Sequence, residues 1–135
     1  MTRGDLALRY ALDERAPALL QRGVEAAEKA GGTSLKLGQV KGLVRQVEAD
    51  QGVEHVANWL RYQSAREGAW QESELLSTVL GDFRALEEDA KGLTDRLYPG
   101  RFESELPAVW LALVRRYVLY FHRKFTTLRK DAQDE

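Results

Sequence analysis

From Leu76 to Leu97, seven apolar residues recur at alternating steps of three and four: Leu76, Val79, Phe83, Leu86, Ala90, Leu93 and Leu97. Only an α-helix with one face turned to a partner lines up such a series, and a seam this long suits antiparallel bundle packing or a coiled coil. Apolar spacing is three to four residues nearly everywhere else, and no stretch alternates with period two for long. The chain therefore reads as all-α, a single-domain bundle of about five to six helices. Its 135 residues suffice for one core and not for two.

The expected segments follow from breakers and caps. A first helical region spans about Asp5 to Ala30, with Pro17 predicting a kink or break near residues 13–16. Gly31-Gly32 reads as a left-handed helix stop. Thr33 or Ser34 then caps a second helix, about Leu35 to Ala49. Gly38 and Gly42 inside it cost roughly 1 kcal/mol each if exposed, or else admit a close backbone. After the Gln51-Gly52 break a third helix runs from about Val53 to Arg66, and the seam helix from about Ser73 to Leu97. Beyond the Tyr98-Pro99-Gly100 turn, the last helix covers about Ser104 to Leu128, with Leu106, Trp110, Leu113, Tyr117, Phe121 and Leu128 as its apolar stripe. The domain thus divides into a kinked N-terminal region (1–32), a core bundle (33–130) and an acidic tail (131–135).

Composition closes several routes. With no cysteine there is no disulfide scaffold, thiolate nucleophile or Cys-based zinc site. The apolar run near residue 110 is interrupted by Arg115 and Arg116, too early for a membrane span. No signal-peptide stretch opens the chain, so the expected setting is the cytoplasm, without membrane contact. The net charge of -1 conceals a gradient: residues 67–98 carry three basic and eight acidic residues, and residues 99–130 seven basic and two acidic.

Nothing points to catalysis. His55 and His122 are far apart and belong to no HExxH or Glu-x-x-His pattern, so both read as surface or boundary histidines. Gly31-Gly32-Thr33-Ser34 opens a helix but lacks a phosphate-loop lysine, which favours a cap-and-stop signal. Glu87, Glu88 and Asp89 are consecutive, so on a helix they splay about 100° apart and cannot converge on one ion. No enzyme activity, metal or cofactor is expected.

The basic residues carry more information. Two rows repeat every seven residues along the last helix: Arg115, His122, Arg129 and Arg116, Arg123, Lys130. Such rows can follow a run of phosphates, with Tyr120, or Phe125 if exposed, stacking on a base. They could equally be a solvated face or pair with the acidic seam helix. Lys41, Arg45, Arg61 and Arg66 on the second and third helices would extend the track if the bundle brings them alongside.

Three stretches also resemble a known family. Leu35-Lys36-Leu37-Gly38-Gln39-Val40-Lys41 resembles a Gln-Ile-Arg helix start, with Val40 and Lys41 in the Ile and Arg places. Leu60-Arg61-Tyr62-Gln63-Ser64-Ala65-Arg66 resembles a Leu-x-Tyr-x-x-x-Arg segment. Val118 to Lys124 resembles a closing apolar-Tyr-x-basic segment. The family is the small α-helical subunit of type III CRISPR effector complexes, in its III-A or III-B form. Arg115 and Arg116 depart from the acidic-small pair often found before the closing Tyr. The resemblance implies a non-catalytic antiviral-defence subunit that stacks in several copies along guide and target RNA and contacts neighbouring subunits. The expected RNA-binding residues are Lys41, Arg45, Arg61, Arg66, Arg115, Arg116, Arg123 and Lys124 on phosphates, with Tyr120 as a stacker.

Two other readings stand beside it. One is a helical protein–protein adaptor whose heptad seam binds a partner helix. The other is a small DNA-binding regulator, with Gln51-Gly52 as the turn of a helix-turn-helix.

Overall fold

The longest helix is also the one that every other helix touches. The computed structural model describes residues 3–134, with side chains from Gly4 to Lys130. Its elements are α1 (Arg3–Gly31), α2 (Leu37–Glu48), α3 (Val53–Arg66), a 3-10 segment (Gly68–Glu74), α4 (Leu75–Leu97) and α5 (Phe102–Asp134). No strand occurs among the described residues. Around α5 the sequence of neighbours is α2, α3, α4, α1, each packed on the next. The ring does not close, because α1 and α2 pack on α5 from either side but hardly on each other.

α5 takes the centre because it is apolar over most of its circumference. Trp110, Leu113, Val114, Tyr117, Val118, Phe121 and Phe125 are all buried. The α4 seam is consumed against it: Val79, Phe83, Leu86, Ala90 and Leu93 are buried, while Leu76 and Leu97 are half-buried at the ends. Each fully buried Val, Leu or Phe among them contributes roughly 1.5–3 kcal/mol. The seam is thus no free surface for a partner helix, and an adaptor would have to use another face.

Polar anchors set the register. Trp110 Nε1 donates to the Phe83 carbonyl at 2.8 Å. The Tyr117 hydroxyl donates to Asp82 Oδ2 at 2.6 Å, and Arg22 Nη1 donates to Asp82 Oδ1 at 3.0 Å. One carboxylate therefore joins α1, α4 and α5. Burial, and then the Asp82 charge, push the Tyr117 hydroxyl well above the usual phenol range, so it stays protonated and remains a donor.

α1 continues through Pro17 without a break. Pro17 and Asp13 are both exposed, so water can satisfy the Asp13 carbonyl that the proline leaves without its intrahelical donor. Leu12, Leu19, Ala26, Ala27 and Ala30 of α1 belong to the same core as the buried residues of the later helices. Gly23 allows the close approach to α5: a Cβ there would lie 2.9 Å from Tyr120 Cβ and 3.0 Å from both Phe121 N and the Tyr117 carbonyl. Gly38 has no such neighbour, and Gly42 faces the Trp59 ring rather than a backbone.

The α1–α2 junction is also built differently. Gly31 and Gly32 are not left-handed. Instead the buried Thr33 hydroxyl donates to the Ala30 carbonyl at 2.6 Å and accepts from the Leu35 amide at 3.1 Å. It thereby closes α1 rather than opening α2. Ser34 is engaged with Glu72 through both its amide and its hydroxyl. The N-cap of α2 is Lys36, whose amide donates to Gln39 Oε1.

Later boundaries shift less. α3 spans the expected residues. α4 begins at Leu75 because Ser73 and Glu74 are left-handed. α5 starts earlier than expected and stays helical through Asp134, so the acidic tail continues the helix, with Glu135 outside the described residues. No helix among the described residues is long and apolar enough to cross a membrane.

Two outcomes follow for stability. Gly23→Ala should lower the unfolding free energy by about 1–3 kcal/mol through overpacking. Gly92→Ala, where an added Cβ meets nothing within 4 Å, should raise it by about 0.5–1 kcal/mol. Chemical denaturation of both variants measures this. Tyr117→Phe should cost about 1–3 kcal/mol, because the part-buried Asp82 carboxylate loses a donor. A denaturation midpoint unchanged from the parent would show that water replaces the hydroxyl.

Candidate nucleic-acid interface

The seam between α1 and α2 exposes one side of α5 as a groove floor. At its apolar end, Leu12 of α1, Val44 and Val47 of α2, and Ala112 and Leu119 of α5 enclose a cavity of ≈ 380 Å³. Arg115 and Arg116 border it from α5 and Glu48 from α2. One turn further along α5 come His122 and Arg123, with Lys41 of α2 near enough to act on the imidazole. At the far end Thr126, Arg129 and Lys130 meet Lys36 and the α1–α2 loop around a second cavity of ≈ 400 Å³. From Ala112 to Lys130 the floor runs about 27 Å.

The cations on this face divide into two groups. The row nearer α2 is largely engaged inside the protein. Arg115 Nε donates to the Val47 carbonyl at 2.8 Å and its Nη2 to Asp50 Oδ1 at 3.2 Å, closing the C-terminus of α2. Arg129 Nη2 donates to the Thr33 and Leu35 carbonyls at 3.0 and 2.6 Å, with its guanidinium 4.8 Å from the Phe125 ring centre. Phe125 is fully buried and stacked on Phe121, which removes it as a base-stacking platform. In the other row Arg116 pairs with Asp13 at 3.0 Å, and the Asp13 hydrogen bond raises its already high proton affinity.

Lys36, Lys41, Arg45, Arg123 and Lys130 form the second group. Their side chains are exposed and make no ion pair or hydrogen bond among the described residues. Lys36 and Lys130 line the cavity at the far end of the groove, Lys41 and Arg123 act on His122 between the two cavities, and Arg45 lies one turn along α2 from Lys41. Neither row pairs with acidic α4, whose Glu87 and Glu88 bond Arg84 and Lys91 instead.

The expected binding residues therefore separate. Lys41, Arg45, Arg116 and Arg123 come together on the groove, and Arg115 borders it as a cap. Tyr120 is half-buried against α1 at Gly23, beside Arg116, so its ring serves packing rather than projecting freely. Lys124 lies seven residues beyond Tyr117, on the row that faces Asp82 of α4, and is half-buried. Arg61 lines a different groove, between α3 and α4, with Arg84 and Trp110. Arg66 sits over the Tyr62 ring at 5.5 Å on α3. The continuous track expected from α2, α3 and α5 is thus confined to α2 and α5.

Sequence reasoning did not place Lys36, His122 and Lys130 in the site. His122 and Lys130 carried a signal in the heptad rows, whereas Lys36 enters only because α2 begins one residue after it. His122 is half-buried as a boundary histidine, and burial, Lys41 and Arg123 lower its pKa below the usual imidazole value. His55 is exposed and bonds Gln46 at 3.1 Å. No group of three or more His, Asp or Glu side chains is placed to hold a metal ion among the described residues.

No family model, no curated protein and no solved structure matches the chain.

The division of cations is measurable. Arg129→Ala should destabilise the protein by about 1–3 kcal/mol, having lost two charge-assisted hydrogen bonds and a ring contact. Arg123→Ala should stay within about 0.5 kcal/mol of the parent. Equal destabilisation in thermal or chemical melts would contradict the assignment of Arg123 as an unengaged surface cation.

Proposed function

We propose that this chain is a non-catalytic RNA-binding structural subunit that lays the α1–α2 seam along a sugar–phosphate backbone. The observation that carries the reading is one face bearing Lys36, Lys41, Arg45, Arg123 and Lys130 without carboxylate partners among the described residues, along a groove floored by α5. Binding of this kind is electrostatic and independent of base sequence. The resemblance to the small subunit of type III CRISPR interference complexes supplies the setting: several copies stacked on guide-paired RNA in the cytoplasm, beside other subunits. The exposed acids Glu88, Asp89 and Asp95 of α4 lie on the side away from the seam, and opposite charge on opposite sides suits head-to-tail stacking of copies.

One observation favours protein contact instead. Leu6, Tyr10 and Leu20 are 43%, 62% and 47% exposed along one side of α1, and this is where an adaptor would meet its partner. The helix-turn-helix reading is weaker. On the outer side of α3, Glu54 is paired with Arg84 and His55 is bonded to Gln46.

The test is a titration with single-stranded RNA of about 40 nucleotides, long enough for several copies at typical site sizes. Five phosphate contacts should give a slope of log affinity against log salt of about -3.5. Lys41→Glu with Arg123→Glu should reduce affinity at least about tenfold and flatten the slope by about 1.4. Arg61→Glu with Arg66→Glu should leave binding nearly unchanged. Absence of salt-sensitive binding, or equal loss in both double variants, would overturn the reading. A stable homodimer without RNA affinity would favour the adaptor.

A further inference from the structure

The groove is closed at one end. Its walls, α1 and α2, are consecutive helices, and the loop from Gly32 to Lys36 that joins them crosses over the floor. Arg129 of α5 holds this loop down, donating to the Thr33 and Leu35 carbonyls at 3.0 and 2.6 Å. The end of α1 sits on the same stretch of α5, since a Cβ on Gly31 would lie 3.4 Å from the Leu128 side chain. At the apolar end no segment joins α1 to α2, because the chain there passes from α2 to α3.

The cavity of ≈ 400 Å³ lies at the closed end, and Lys36, Arg129 and Lys130 all line it. The ammonium groups of Lys36 and Lys130 are exposed and have no ion pair or hydrogen bond among the described residues. Arg129 is bonded to main-chain carbonyls, which fix its guanidinium without neutralising it. Glu72 reaches the loop from the 3-10 segment, bonded to the amide and hydroxyl of Ser34, and does not line the cavity. Lys130 is the last basic residue of the chain, and Asp131 and Asp134 follow it on α5. The basic row therefore stops where the loop closes the groove.

We propose that this cavity is a site for a terminal phosphomonoester, so that the groove seats an RNA end at the α1–α2 loop rather than a strand passing through. The inference rests on the RNA-binding reading and deepens it by naming the end group. Shape supports it, because a strand laid along the floor meets the loop. Charge supports it too. A monoester phosphate carries close to two negative charges at neutral pH, against one for each phosphate within a strand. Three cations without a carboxylate among them suit the doubly charged group better. The cavity is also within the size range of small-ligand sites, with room for a phosphate and its sugar.

Three RNAs of one sequence test this, each about eight nucleotides long so that the strand matches the floor at about 3.4 Å per phosphate. One ends in hydroxyls on both sides, one carries a 5′-phosphate and one a 3′-phosphate. The parent should bind one phosphorylated RNA at least about fivefold tighter than the hydroxyl-ended one, the size of one added charge contact in water. Which end is preferred gives the direction of the strand. Lys36→Gln with Lys130→Gln should reduce that ratio below about twofold. Lys41→Gln with Arg123→Gln should weaken all three RNAs and keep the ratio. Arg129 stays unchanged in both variants because it holds the loop. A readout without RNA is backbone-amide NMR in sodium phosphate and in sodium chloride at matched ionic strength. The Leu35, Leu37 and Thr126 amides should shift in phosphate only, and not in the Lys36/Lys130 double variant.

The outcomes separate the two ideas. Equal, salt-sensitive binding of all three RNAs overturns the terminal-phosphate site and leaves the groove reading intact. A phosphate-specific shift of these amides with no binding of any RNA supports an oxyanion site there and overturns the RNA reading. An end preference that survives in the Lys36/Lys130 double variant overturns the placement of the site.

Discussion

Asp82 is the point at which three helices are tied. Tyr117 of α5 and Arg22 of α1 both donate to its carboxylate from opposite oxygens. The neighbouring Phe83 carbonyl receives Trp110, and the Phe83 ring meets Tyr117 edge-on at 6.1 Å. A polar cluster at this depth tolerates little slippage, since a one-turn shift leaves a part-buried carboxylate without donors. The register of α1 and α4 on α5 depends on it, and so does the α1 wall of the groove.

With α1 and α4 held on one side of α5, and α2 and α3 on the other, the ring of helices stays open at one place. The groove is the consequence of α1 and α2 failing to meet. Its floor is the remaining side of α5, and evolution of a buried surface there would require only apolar residues. The chain instead carries Arg116, His122, Arg123 and Lys130 along that side, and Lys36 and Lys41 on the facing helix. Arg115 and Arg129 show the alternative fate of such residues, closing the ends of α2 and of the α1–α2 loop on main-chain carbonyls. Counting basic residues would not have separated the two uses. The acceptors that distinguish them come from segments between about 65 and 96 residues away in the chain.

Local pattern made much of the architecture legible. The α4 seam and the α3 boundaries follow from apolar spacing and from the glycines at 52 and 68, because a helix face and a breaker are properties of neighbouring residues. The misreadings share a cause. Pro17 looks like a break until its exposed position shows the freed carbonyl to be open to solvent. Thr33 looks like the cap of the following helix until its hydroxyl is found on the preceding one. Gly23, which carries no distinctive local signal, proves to be the place where two backbones meet.

The sequence alone determined that the protein is helical, that α4 turns one apolar face inward, and that catalysis through cysteine is impossible. These depend on periodicity and residue chemistry, which need no distant partner. Only the tertiary structure decided which cations remain unengaged, that Tyr120 packs against α1, that Arg61 and Arg66 stand outside the groove, and that Lys41 of α2 comes near enough to His122 of α5 to act on it. Each of these is a matter of what a side chain meets across the fold, and that is set by how helices pack around α5 rather than by the residues beside it.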